Sequence, residues 1–521
     1  MKTGQFVSSF LFSVAAVVSN VPLSNASNID SNQVQMIPNY STSEETTVKF
    51  QLSTPSESNS IENVEEPPSS KQLNQTNSNN SKLILDSLNN NQNPLQYPTK
   101  PEEVQIQKIQ AITLEQALEL ARRNNRELQV GLLELQRAQA AVKEAQASLL
   151  PNAGLSAEVA RQQSAQNQLA VESTNVGTDE ATTAFNGSLQ LSYDLYTGGR
   201  RSAQIGQAQE RLRVQELAVE VLEEEVRLNV STEYFDLQQA DEEVRIANAA
   251  VVNARASLRD AQALEQAGTG TQFDVLRTRV NLANAQQQLT NAVASQQVAR
   301  RRLVTRLSLP QSVDIAAADP VKLAALWKLS LENSIIQAYT NRSELQQQLA
   351  QRNINLLDRR LALSALKPQI ALVASYSLLD QFDDNVSFTD GYSLAVQANL
   401  NLFDGGRAKA QAAQAKANVK IAETQFSDTR NQIRFQVEQA YSGLQSNLEN
   451  VQTSNAALEQ ARESLRLARL RFQAGVGTQL EVIDAENALT TAEGNSIRAI
   501  LDYNRAFASL QRSVTSRAIP K

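Results

Sequence analysis

Glu481 and Asp484 stand three residues apart, a spacing that places both carboxylates on one face of a helix. Two acids at the start of a helix complement its dipole, which is their ordinary structural role. Asp274 and Arg277 repeat the same spacing with opposite charges, which suits a surface ion pair. Beyond carboxylates the chain has little to catalyse with. It holds neither cysteine nor histidine among 521 residues. Thiol nucleophiles, histidine bases, disulfides and the usual zinc sites are thereby removed. A carboxylate-only enzyme remains open, but no metal site or cofactor site is expected. The formal net charge of −7 provides no basic surface for nucleic acid.

These acids must be positioned by something, and the chain repeats itself around them. LYTGGR at 195–200 returns as LFDGGR at 402–407. Gly198 and Gly199 thus match Gly405 and Gly406, 207 residues on. AGTGTQFDVL at 267–276 returns as AGVGTQLEVI at 474–483 with the same offset of 207. Upstream, LEQALELARRNNREL at 114–128 matches LENSIIQAYTNRSEL at 331–345, and Pro151 matches Pro368, with an offset of 217. The chain is two tandem copies, with one ten-residue insertion in a loop of the first.

Each copy reads as helix, strand, strand, long helix, tight turn, helix. The pattern at 111–149 is helical, with Thr113 and Gln116 spaced for a capping box and Pro151 after its end. Residues 185–195 and 392–402 alternate apolar and polar side chains, preceded by weaker strands near 153–161 and 369–379. Strands of about 9–11 residues suit a tilted membrane span. After each double glycine a proline-free helical pattern covers 200–266 and 407–473, so each helix is roughly 100 Å long. Val230, Leu237, Val244, Val251 and Leu258 recur every seven residues, as do Val437, Leu444, Val451, Leu458 and Leu465. That interval predicts coiled-coil packing. Second helices follow near 271–308 and 478–516. The glycines of the two breaks, Gly268, Gly270, Gly475 and Gly477, admit backbone angles closed to side chains, and Thr271 and Thr478 can cap the next helix.

Four strands cannot close a barrel, and lipid does not tolerate open edges, so membrane strands require oligomerisation. The ends of the chain fit that compartment. Lys2, the apolar run 6–18 and the small residues Ser24, Asn25 and Ala26 read as a secretory signal peptide over 1–26. Residues 27–105 are rich in Asn, Ser and Gln without periodicity, which predicts a disordered extension. The copies then occupy 106–309 and 328–516, with a linker at 310–327 and a tail at 517–521.

The chain resembles the TolC family of outer-membrane efflux proteins from about 110 to 516, on the paired LYTGGR/LFDGGR and AGTGT/AGVGT motifs in register. The extension at 27–105 lies outside the resemblance and is similar to those of cyanobacterial members. The resemblance implies a homotrimer, mainly α with membrane β. A twelve-stranded outer-membrane β-barrel would continue as a periplasmic α-helical coiled-coil tunnel. It implies a periplasmic membrane-fusion adaptor docking at the hairpin tips, and an inner-membrane efflux pump or ABC-type secretion ATPase beyond it. It implies an export duct rather than an enzyme. Glu481 and Asp484 align with the acids that ring the family's closed aperture. Asp274 aligns with an acid that pairs with a tyrosine of the other hairpin, but Phe472 stands at that tyrosine's position and Gly477 at that of the basic lock residue. Arg277 is then a substitute partner for Asp274. Tyr196 and Phe403, at matched positions, are candidate interface aromatics. The competing reading is a trimeric coiled-coil stalk or adhesin with a barrel anchor; a soluble helical scaffold would leave the signal peptide and alternating strands without a role.

Overall fold

The computed structural model describes residue 95 and residues 97–106, 108–163, 165, 181–382 and 388–514. The signal peptide at 1–26, the tail at 517–521 and most of the extension at 27–105 lie outside them. The described end of that extension is exposed and holds a single 3-10 turn, Pro101–Val104.

Strand β1 (Lys108–Ile112) leads into helices α1 (Leu114–Asn124) and α2 (Arg126–Ala147). The single helix expected over 111–149 is therefore a strand and two helices. Asn125 takes an extended backbone between them, and its side chain accepts from Leu128 N–H as the cap of α2. The expected capping box at the start of α1 is present, with Thr113 and Gln116 bonded reciprocally. Strands β2 (Asn152–Gln162) and β3 (Thr182–Tyr196) follow, then the 67-residue helix α3 (Arg200–Gln266) and α4 (Gln272–Arg306).

The linker expected at 310–327 contains a strand, β4 (Val313–Ala317), that pairs in parallel with β1. Hydrophobic alternation could not reveal it, since its partner lies some 200 residues upstream. Beyond it, Asp319 accepts from Leu114 N–H at 2.7 Å and from the Tyr234 hydroxyl at 2.9 Å, tying the inter-copy segment to the start of α1. The second copy runs α5 (Leu331–Asn341), α6 (Ser343–Ser364), β5 (Gln369–Gln381), β6 (Thr389–Asn399), α7 (Arg407–Gln473) and α8 (Gln479–Val514). Strand β6 stops at Asn399, short of the expected 402.

The two copies keep one register. Helices α2 and α6 are both 22 residues long, 217 apart, and α3 and α7 are both 67 residues long, 207 apart. Each copy buries an equivalent core. In the first, Val230, Tyr234 and Leu237 of α3 meet Leu120, Leu303, Leu307 and Ile315. In the second, Ile433, Val437 and Leu444 meet Ala338, Leu345, Tyr503 and Leu510, with Trp327 packed at the edge. Each fully buried leucine or valine stabilises by about 1.5–3 kcal/mol. The heptad residues point inward as expected: Val230, Leu237, Val251, Val437, Leu444, Val451 and Leu465 are buried, while Val244, Leu258 and Leu458 are half-buried. Among the described residues no helix is long and apolar enough to cross a membrane.

Candidate functional site

The four long strands form one antiparallel sheet in the order β2-β3-β5-β6. Residues facing each other across antiparallel strands share a sheet face. One face carries Leu155, Leu189, Tyr376 and Tyr392 in one row, and Ala153, Leu191, Ala374 and Leu394 in the next. The opposite face carries Ser156, Ser188, Ser377 and Gly391, and beside them Gly154, Gln190, Ser375 and Ser393. Serine hydroxyls bond across strands there, Ser156 to Ser188 at 2.7 Å and Ser375 to Ser393 at 2.8 Å. The sheet is thus an amphipathic wall, apolar on one side and hydroxyl-lined on the other. Among the described residues its outer strands β2 and β6 each have a neighbour on one side alone.

A bulge at Leu195 and a glycine turn end the sheet and start α3. Gly198 and Gly199 have φ of +63° and +95°, and Gly405 and Gly406 have +68° and +87°. Both pairs therefore need glycine, which makes them the tight turns that the repeated double glycine marks. The residue before each pair braces the turn in its own way. Thr197 Oγ1 accepts from Arg201 N–H, whereas Asp404 accepts from Gly406 and Ala408 N–H at 2.9 and 2.8 Å. Tyr196, the last residue of β3, and Phe403, beyond the end of β6, are both exposed.

At the far ends of the long helices the two hairpin turns have the same construction. Gly268 and Gly475 share a φ of +74°. Gly270 and Gly477 have no positive φ; the expectation that all four need special angles holds for the first of each pair. Space dictates the second: a Cβ on Gly270 would lie 2.9 Å from Glu265 N, and one on Gly477 2.9 Å from Phe472 N. Thr271 Oγ1 accepts from Asp274 N–H and Thr478 Oγ1 from Glu481 N–H, so both caps form.

Glu481 and Asp484 lie together on the exposed face of α8, between buried Val482, Ile483 and Ala485. Arg471 approaches Glu481 at 3.5 Å across the turn. The Asp274–Arg277 pair is not formed. The Asp274 carboxylate takes the Thr271 hydroxyl at 2.5 Å, and the Arg277 guanidinium lies over the Phe273 ring at 5.4 Å. Phe472 is drawn into its own hairpin, half-buried against Leu465, Ala468, Val482 and Ala485.

Sequence reasoning missed the link that joins the two hairpins. Glu486, one turn inside Val482, is buried at 5% exposure on the stripe where an apolar residue would be expected. It accepts from Ser257 of α3 at 3.0 Å and from Arg469 of α7 at 3.0 Å. Arg469 also donates to Asn253 of α3 at 3.1 Å. A charge interrupting the Val482–Ala485–Leu489 stripe is the signal that could have revealed it. Gln479, the first residue of α8, is equally buried, and both of its amide atoms lack partners among the described residues.

Comparison with known proteins matches this architecture. The outer membrane efflux protein family model covers residues 117–308 and 335–515, one block per copy. The pyoverdine export outer membrane protein OpmQ of Pseudomonas putida is 26% identical over 415 residues, 77% of this chain and 85% of that one. Outer membrane protein TolC of Escherichia coli is 23% identical over 420 residues, 76% of this chain and 80% of that one. The solved structure of the outer membrane protein VceC from Vibrio cholerae superposes with a TM-score of 0.65 at 18% identity, covering 77% of this chain and 95% of that one. With both copies matched in order, the chain belongs to the outer membrane efflux protein family.

Proposed function

We propose that this outer-membrane export duct works as a homotrimer in which three four-stranded sheets close a twelve-stranded barrel over a helical periplasmic tunnel. The observation that carries the reading is the amphipathic sheet with two open edges, continuous through glycine turns with 67-residue helices. Neighbouring strands in the sheet alternate in direction, so β6 of one copy is antiparallel to β2 of the next and a head-to-tail ring closes. The leucine and tyrosine face meets lipid, and the serine face lines the lumen. Tyr196 and Phe403 sit at the periplasmic interface of the barrel.

At the other end, the turns around Gly268, Gly270, Thr271, Gly475, Gly477 and Thr478 dock a periplasmic membrane-fusion adaptor. That adaptor connects to an inner-membrane efflux pump or an ABC-type secretion ATPase. Glu481 and Asp484 of three copies put six carboxylates around the narrow end, where they attract cations. The duct passes its cargo without catalysing a reaction.

The test is single-channel conductance of the mature protein in a planar bilayer. Discrete, cation-selective steps blocked by multivalent cations are expected. Glu481→Ala with Asp484→Ala should lower cation selectivity while leaving the steps intact. Unchanged selectivity would remove the acidic ring from the reading, and a trimer that inserts but never conducts would favour the stalk.

A further inference from the structure

We infer that the cations gathered where the sheet turns into helix, Arg200, Arg201, Lys367, Arg407 and Lys409, form a binding surface for the anionic headgroups of phospholipids in the inner leaflet of the outer membrane. The inference rests on the reading that the sheet spans that membrane, and it adds which lipid the protein selects there. The apolar face of the sheet ends at this level. Tyr193, Leu372 and Val396 form one row of that face, and Tyr196, Ile370 and Ala398 form the last. Leu402 and Phe403 follow at 88% and 86% exposure. Charge then takes over. The turns and first helical residues at 194–203, 365–369 and 399–410 hold these five cations against two acids, Asp194 and Asp404, in a chain whose net charge is −7. The opposite end of the same sheet has the other sign. There the described residues 158–162, 182–186, 379–382 and 388–390 hold Glu158, Asp380 and Asp390 against Arg161.

Helix stability does not account for these cations, because the start of a helix disfavours positive charge. Helices α1, α2, α4, α5, α6 and α8 each place an acid in the first turn. Helices α3 and α7 place none there and open on Arg200 with Arg201 and on Arg407. Carboxylates of the chain do not account for them either. Arg200 pairs with Asp194 at 2.8 Å, but Asn401 stands at the equivalent of Asp194, so Arg407 loses that partner. Asp404 beside it gives both oxygens to the Gly406 and Ala408 N–H groups. Among the described residues Arg201, Lys367, Arg407 and Lys409 form no ion pair. Arg201 shows where such a charge is aimed. Its guanidinium lies 5.6 Å from the centre of the Tyr193 ring, on the apolar face, and donates to the Asp194 carbonyl at 2.5 Å. Lys367 is exposed against the glycine turn, where a Cβ on Gly198 would come within 2.7 Å of the lysine Cβ. Cations without acids beside lipid-facing aromatic rings suit headgroup phosphates, with their stems along apolar surface and their charges at the water boundary. Each basic side chain at an anionic bilayer surface adds about fivefold to the attraction.

The test gives the full mature protein, in detergent at low ionic strength, equal amounts of phosphatidylglycerol and phosphatidylcholine, and counts the retained lipids by native mass spectrometry. Phosphatidylglycerol should outnumber phosphatidylcholine on the parent trimer by about fivefold or more. Arg201→Gln, Lys367→Gln, Arg407→Gln and Lys409→Gln combined should bring the ratio close to one. Lys367→Gln with Lys409→Gln changes exposed side chains alone and should lower the ratio part of the way, which keeps the test decisive if the larger variant fails to assemble. Arg255→Gln, Arg259→Gln, Lys322→Gln and Lys328→Gln remove the same charge from exposed positions elsewhere and should leave the ratio intact. A parent trimer without a preference, or a preference that both belt variants retain, would overturn the surface and leave the duct reading standing. Displacement of the lipid by millimolar inorganic phosphate would make this a site for free anions and overturn it as well. A parent that stays monomeric and carries neither detergent nor lipid would overturn the membrane reading itself.

Discussion

At the scale of single residues the hairpin link is asymmetric, and that asymmetry is testable. The Glu486 side chain is 6% exposed while Arg469 is 43% exposed. Removing Glu486 frees an arginine that can turn to water. Removing Arg469 strands a buried carboxylate with the Ser257 hydroxyl as its remaining bonded partner. Orphaned buried charges cost about 3–5 kcal/mol, lost hydrogen bonds about 1–2 kcal/mol. Arg469→Ala should therefore destabilise more than Glu486→Ala in thermal unfolding followed by circular dichroism; the reverse order would mean that the link is not governed by Glu486 burial. The same scale explains the tip. Asp274 and Arg277 have the spacing of a pair, yet the nearer Thr271 hydroxyl and Phe273 ring take them instead.

At the scale of elements, the break between α5 and α6 is where the second copy is knitted together. The Arg342 guanidinium, 7% exposed, bonds Glu344 through two nitrogens and reaches Gln436 of α7. Arg512 of α8 meets the same Glu344 carboxylate at 2.9 Å. Burial alone would raise the Glu344 pKa, but Arg342 first, then a backbone N–H and Arg512, overcome it and bring it down to about 2, from 4.5. A depressed carboxylate pKa gives stability that is full above the unfolded value and is lost as pH falls through the folded one. The contribution is about 3 kcal/mol and disappears between pH 4.5 and about 2. Glu344→Gln should lower stability at pH 7 by that order, with the gap to the parent closing toward pH 2 in denaturant titrations. A gap that does not depend on pH would contradict this account. At the equivalent break of the first copy Asn125 stands in place of Arg342, and Glu127, the equivalent of Glu344, is exposed with Arg306 at 3.7 Å, so the buried two-arginine cluster belongs to the second copy.

At the scale of the whole molecule, the duct needs closure of the sheet and of the helical tube together. Both are built from residues after 107, in elements that make their contacts with one another. Deleting 27–105 should therefore leave heat-resistant trimers on gels, and their loss would give the extension a part in assembly. The cores around Tyr234 and around Tyr503 are formed by residues of one chain. The sheet needs more than one chain, because four strands in lipid leave two rows of backbone groups without partners.

What the sequence determined by itself is whatever depends on near neighbours along the chain. Seven-residue periodicity marked the long helices, alternation marked the strands, and recurring glycines marked the turns at both ends. Each of these signals is local, and the duplication printed each of them twice in one register. The tertiary structure alone decided the features made by distant partners. The β1–β4 pair joins residues some 200 positions apart, and neither strand carries a pattern that names the other. The helix breaks at Asn125 and Arg342 fall among weak helix formers, Asn124 and Asn125 in one copy and Thr340, Asn341 and Ser343 in the other, but the long helical runs on either side hid them. The charge of Glu486 on an apolar stripe was legible, but its partners were not, since Ser257 and Arg469 lie 229 and 17 residues away. Its burial follows from where three helices meet, and only the folded chain brings them together.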